Sequence, residues 1–84
     1  MKPVRLSAHA SGYAGRRGFT AEEVAEAIQT SEWRPAVLGR LECAKDFAFG
    51  REWNGRVYAT KRVRSIFVEE ATEIVVVTVY TYYF

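Results

Sequence analysis

Residues 61–84 read KRVRSIFVEEATEIVVVTVYTYYF, and this stretch decides the fold. Two runs, residues 57–68 and 74–83, are rich in β-branched and aromatic side chains, the types that fit a pleated surface. Glu70-Ala71-Thr72-Glu73 separates them with polar residues, so the pair reads as a long β-hairpin. With Ala71-Thr72 at the turn, Lys61 opposes Tyr82, Val63 opposes Tyr80, Arg64 opposes Val79 and Ser65 opposes Thr78. Side chains alternate along a strand, so one face then holds Lys61, Val63, Ser65 and Phe67 beside Val76, Thr78, Tyr80 and Tyr82. The other holds Arg62, Arg64, Ile66 and Val68 beside Val75, Val77, Val79 and Thr81. The second set has an aliphatic centre suited to a helical layer, and the first is expected to lie open.

Upstream, Asn54-Gly55 is the strongest short hairpin turn signal, and it leads into the first of the two runs. Residues 37–44 are a strand candidate and residues 47–49 a weaker one. Thr20-Ala21-Glu22-Glu23 is a capping box: the Thr20 hydroxyl accepts from the Glu23 amide, and the Glu23 carboxylate accepts from the Thr20 amide. Phe19 and Val24 flank it as a hydrophobic staple, and Val24, Ala27 and Ile28 continue as an apolar stripe. Trp33 and Pro35 end that helix. Ser7 is placed to cap an earlier helix over residues 7–17, weakened by Gly12 and Gly15. Val4-Arg5-Leu6 is a short strand or an extended lead-in. The layout predicts an α+β fold, two N-terminal helices on a curved antiparallel sheet that ends in the long hairpin.

Residues 1–84 are expected to form a single domain, since so short a chain has room for one core. Domains of this size are marginally stable alone, which makes a homodimer a natural expectation. The net charge of +2 does not announce a nucleic-acid binder, but its distribution is uneven. Arg51, Arg56, Lys61, Arg62 and Arg64 lie close together with Glu52 as the one acid among them. Residues 20–32 carry Glu22, Glu23, Glu26 and Glu32 and no base. A basic sheet and an acidic helix are implied. Cys43 is the single cysteine, which leaves no intramolecular disulfide; a small buried hydrophobe is the simplest reading of it. No signal peptide is evident, and the apolar run at residues 74–84 is too short to span a bilayer. From these features a cytoplasmic protein with no membrane contact is expected.

No metal-binding spacing, phosphate loop, dinucleotide turn or nucleophile elbow is present, so no cofactor is expected. What remains is a set of cations and hydroxyls: His9, Arg16 or Arg17, Lys61, Arg64, Thr78, Tyr80 and Tyr82. Such groups can cleave RNA without metal, by driving the 2′-hydroxyl onto the neighbouring phosphate. One group takes the hydroxyl proton, another protonates the leaving oxygen, and cations offset the charge on phosphorus. His9 is the side chain suited to that proton transfer near neutrality. Arg62, Arg64 and Tyr82 would meet phosphates and unpaired bases. A second explanation fits the same residues: Tyr and Thr are good strand formers, and Lys or Arg guards sheet edges.

The order of motifs also resembles a known group. His9-Ala10, Arg17-Gly18-Phe19-Thr20, Glu22-Glu23-Val24 and Ala27-Ile28 are similar to the opening of small bacterial proteins related to the RelE and BrnT toxins. Lys61-Arg62-Val63-Arg64, Phe67-Val68-Glu69-Glu70 and residues 75–80 resemble the strand pair that closes them. The resemblance implies a RelE-like, barnase-like fold. It also implies a metal-free endoribonuclease toxin neutralised by a partner antitoxin protein. Carried over by position, it implies His9, Lys61, Thr78 and Tyr80 as catalytic residues and Arg17 as an RNA contact. The arginine usual between the His and the Arg-Gly is Tyr13 here. A non-catalytic RNA- or protein-binding module on the same scaffold is the alternative, and a structural protein dimerising through its tyrosine-rich strand a third.

Overall fold

The computed structural model describes residues 2–84. Three short helices lie on one face of a five-stranded mixed sheet: α1 (Ala8–Gly12), α2 (Ala14–Arg17) and α3 (Ala21–Thr30), with β1 (Val4–Leu6), β2 (Arg34–Pro35), β3 (Leu41–Trp53), β4 (Arg56–Glu69) and β5 (Ile74–Tyr83). The spatial order is β1-β5-β4-β3-β2. The chain enters along one edge, crosses a face as helices, and returns on the far edge. Among the described residues no helix is long and apolar enough to cross a membrane.

Ser7 caps α1, accepting from the Ala10 amide, as its sequence position predicts. The single helix expected over residues 7–17 is divided at Tyr13, which caps both pieces with φ −99° and ψ −2°. Glycines on either side of Tyr13 remove the propensity that would have kept the turns continuous. Gly18 ends α2 in the left-handed region, at φ 77°. A Cβ there would also fall 2.6 Å from the Trp53 ring, so both conformation and space call for glycine. The capping box opens α3, and Phe19, Val24, Ala27 and Ile28 are buried in the core.

The sequence predicts an antiparallel sheet, and the sheet is instead mixed, because β1 pairs in parallel with β5 through Val4–Ile74, Arg5–Val75 and Leu6–Val76. β3 is one long strand starting at Leu41, where residues 37–44 and 47–49 read separately; residues 37–39 form a tight turn. The β3–β4 turn has φ 51° at Asn54 and 87° at Gly55, the primed geometry that matches strand twist.

The closing hairpin forms with the predicted register near its turn, where Phe67 opposes Val76 and Val68 opposes Val75. Beyond it, Ile66 opposes Thr78, so Val77 is an extra residue on β5. This bulge shifts every later pair by one: Arg64 meets Tyr80, Arg62 meets Tyr82 and Lys61 meets Tyr83. The face assignment is corrected too. Val63, Ser65 and Phe67 are fully buried beneath the helices together with Ile74, Val76 and Val79. Arg62, Arg64, Tyr80 and Tyr82 lie on the helix-free face.

Candidate functional site

Lys61, expected on the open face, is 3% exposed and turned into the helical layer. Its Nζ donates to the Gly18 carbonyl at 2.9 Å and lies 2.7 Å from Glu23 Oε2. Glu23 is the capping-box residue of α3, and its other oxygen accepts from the Thr20 amide. One lysine therefore ties the end of α2, the start of α3 and the middle of β4 together. Every ammonium contact is internal and the group is out of solvent, so its role is to hold the fold.

Nearby, Tyr83 stacks on Trp53, with ring centres 5.0 Å apart and planes at 18°. Phe49 and Tyr58 pack on the same phenol ring at 5.1 and 5.7 Å. Its hydroxyl donates to the Arg17 carbonyl at 2.9 Å. Burial pushes the phenol pKa up. This aromatic cluster anchors the β3–β4 hairpin under the end of α2.

On the helix-free face, Arg62 forms a forked pair with Asp46 at 2.6 and 3.1 Å, and Arg64 bonds Glu42 at 2.7 Å. Two of the three arginines predicted to contact RNA, Arg62 and Arg64, are thus already engaged with carboxylates. Each pair lowers the net field of the face, since a phosphate must compete with an intramolecular carboxylate.

Arg17 is different. Its Nη1 donates to the Val79 carbonyl at 2.6 Å, on the β5 edge beyond the reach of β1. The guanidinium carbon stands 4.1 Å from the Tyr13 ring centre and 4.9 Å from that of Tyr80. Among the described residues no carboxylate lies within ion-pair distance of Arg17 or of Arg16. Arg16 lies over the same Tyr13 ring at 5.6 Å, and the exposed His9 ring packs against Tyr13 at 5.0 Å. On the sheet, Tyr80 is followed by Arg64 at 5.5 Å. The result is a ribbon, His9–Tyr13–Arg17–Tyr80–Arg64, running from the helices around the β5 edge onto the helix-free face.

Of the residues singled out in the sequence, the ribbon unites His9, Arg17, Tyr80 and Arg64. Thr78 lies further along β5, opposite Ile66, and Tyr82 lies opposite Arg62. Lys61 does not join them. Tyr13, the centre of the ribbon, was readable as a departure from a motif but not as a site residue. The signal was its spacing, four residues after His9 and four before Arg17, which sets the three on one side of the α1–α2 segment.

Among the described residues no three His, Cys, Asp or Glu side chains converge as a metal ion would require. Cys43 is buried, and its thiol pKa is pushed up to about 11 by burial and by Glu42. A thiol so placed is a poor nucleophile at neutral pH. Compared with known protein families, curated proteins and solved structures, the chain matches none.

Proposed function

We propose that this protein is a binding module for unpaired RNA, and that the ribbon of His9, Tyr13, Arg17, Tyr80 and Arg64 is its contact surface. The observation that carries this reading is Arg17: sandwiched between two phenol rings, fixed by one backbone carbonyl, and free of any acidic partner among the described residues. A guanidinium offers five N–H donors and this one uses a single nitrogen, which leaves donors for a phosphate. Tyr80, 37% exposed, and the half-buried Tyr13 hold the guanidinium groups of Arg17, Arg64 and Arg16 at the surface, and unpaired bases stack on arginine planes as they do on aromatic rings. Arg16 supplies a second cation alongside.

The test is binding of a single-stranded RNA oligonucleotide as salt is varied. Two phosphate contacts predict a log–log slope of about −1.4. Arg17→Ala should weaken binding about tenfold and flatten that slope, while Arg62→Ala, which removes an arginine already paired, should change it little. Equal loss from both variants would move the contact surface to the open face, and a salt-independent affinity would end the proposal.

A second reading, a metal-free endoribonuclease toxin of the RelE and BrnT kind with an antitoxin partner, rests on His9, exposed at the ribbon's end. In that reaction the His9 imidazole accepts the 2′-hydroxyl proton and the oxygen attacks the adjacent phosphorus. Arg17 offsets the added charge, and the bond to the 5′-oxygen breaks as that oxygen takes a proton from the Tyr80 phenol. Cleavage products ending in a cyclic phosphate, lost in His9→Ala with binding retained, would select this reading. Intact RNA after prolonged incubation would leave binding alone.

A further inference from the structure

β3 is thirteen residues long, yet β2 pairs with it only at Leu41 and Glu42. The next position in line with β2 would be Trp33, but the indole is drawn into the core. It packs edge-on to Phe67 at 5.0 Å and donates to the Ile28 carbonyl at 2.7 Å. The chain therefore leaves the sheet plane there, and among the described residues no strand lies beside the outer edge of β3 over residues 43–48. A groove of about 810 Å³ opens along this edge and over the helix-free face beside it, with Glu32, Arg34, Ala44, Lys45, Asp46 and Arg62 among its lining residues. The irregularity between Ala48 and Arg51 closes the open stretch. Six residues of free edge, about 20 Å, are the length of an ordinary strand.

We propose that this edge takes up an extended strand from another protein, one that alternates basic with apolar side chains. Backbone N–H and C=O groups of residues 43–48 would supply the ladder, as in other strand additions. The side-chain chemistry follows from the two sides of the edge. On the helical side stand Glu26 and, one turn earlier on the same exposed stripe of α3, Glu22, with no basic residue anywhere on that helix. The nearest cation, Lys45, is 3.8 Å from Glu26 and does not offset both acids. Basic side chains belong there. On the other side Ala44 and Ala48 are small and exposed, and Asp46 between them is paired with Arg62, which leaves room for apolar side chains over the two alanines.

A second copy of this chain fits less well. Antiparallel pairing of two β3 edges, about an axis normal to the sheet, sets both helical layers on one face. The acidic stripes of the two α3 helices would then flank one seam and repel.

The experiment uses the full chain and a blocked peptide, acetyl-Lys-Val-Arg-Val-Lys-Val-Arg-amide, followed by residue-resolved hydrogen exchange and by titration. Peptide binding should slow exchange of the amides of residues 43–48 that point away from β4. Converting both acids (Glu22→Gln with Glu26→Gln) should weaken binding about fivefold or more. A version of the peptide with methylated backbone nitrogens should not protect the edge. Unchanged exchange at β3 with saturating peptide would overturn the proposal. So would equal binding by the methylated peptide, which would mean surface adsorption. Protection of the same amides by raising protein concentration, without peptide, would make a second copy the occupant and overturn it equally.

Discussion

The two faces of β4 carry nearly the same letters and do opposite things. Lys61, Val63, Ser65 and Phe67 point under the helices and are buried; Arg62, Arg64, Ile66 and Val68 point away and remain half-buried or exposed. Each row contains basic and apolar residues. On the inner row the cation is sequestered by Glu23 and the Gly18 carbonyl. On the outer row the cations form pairs with Asp46 and Glu42 in contact with water. A cation's role follows from its solvent and its partners, and residue type predicts neither. The arginine held between two phenol rings is on neither row; it is Arg17, at the sheet edge.

Several substitutions would break or sharpen this contrast. Lys61→Ala leaves the Glu23 carboxylate, partly shielded from water, without its partner, and should cost about 3 kcal/mol in urea unfolding. Arg62→Ala on the outer row should cost less than about 0.5 kcal/mol. Equal costs would erase the distinction between the rows. Gly18→Ala combines a left-handed backbone with a clash against Trp53, and a loss of about 2 kcal/mol is expected by the same measurement. Tyr83→Phe removes the hydrogen bond to the Arg17 carbonyl and should cost about 1 kcal/mol.

The pH dependence separates the rows as well. Hydrogen bonds from Arg62 and Arg5 hold the Asp46 and Glu73 carboxyls below the usual range. Their contribution is full at neutral pH and is lost as pH falls through and below the carboxylate range; added salt should shrink it, because both pairs are exposed. The Tyr83 phenol, raised by burial, has the opposite sign: its contribution is full at neutral pH and is lost as pH rises above 10. Unfolding midpoints at several salt concentrations should show a salt-sensitive acid limb and a less sensitive alkaline one.

Cys43 reports on the inner layer directly. A thiol pKa of about 11 instead of 9.0 lowers the thiolate fraction about a hundredfold, so thiol reagents at pH 8 should react correspondingly slowly until urea exposes the group. The smallest effect expected is at Leu38, exposed and held at φ 59° in the turn before β3. Leu38→Asn should raise stability by about 0.5 kcal/mol, because asparagine tolerates that backbone region better.

Much of this architecture was legible before any coordinates. The Asn54-Gly55 turn, the Thr20–Glu23 capping box, the Ser7 cap and the polar turn at residues 70–73 depend on neighbours within a few positions, and local chemistry is enough to place them. The strands β4 and β5 were equally plain, because long β-branched and aromatic runs have few other uses. In the candidate site, His9, Arg17, Tyr80 and Arg64 were each visible as residues suited to RNA. Their assembly was not, because it depends on where α1 and α2 cross the β5 edge.

What tertiary structure alone decided was which face of the hairpin is covered and which residues share it. Val77 is one residue among three consecutive valines, and nothing in its identity marks it as the unpaired one. The bulge arises where β5 gains β1 on its other side and Ser7 takes the Val76 and Val77 carbonyls. A strand has a period of two, so one extra residue exchanges inside and outside for everything after it. Through that exchange Tyr80 and Tyr82 came to stand beside Arg64 and Arg62, while Lys61, across from Tyr83, closed on Glu23. The sequence by itself determined the strands, turns and caps, whose causes are local. The pairing of charge with solvent was left to contacts made far apart along the chain.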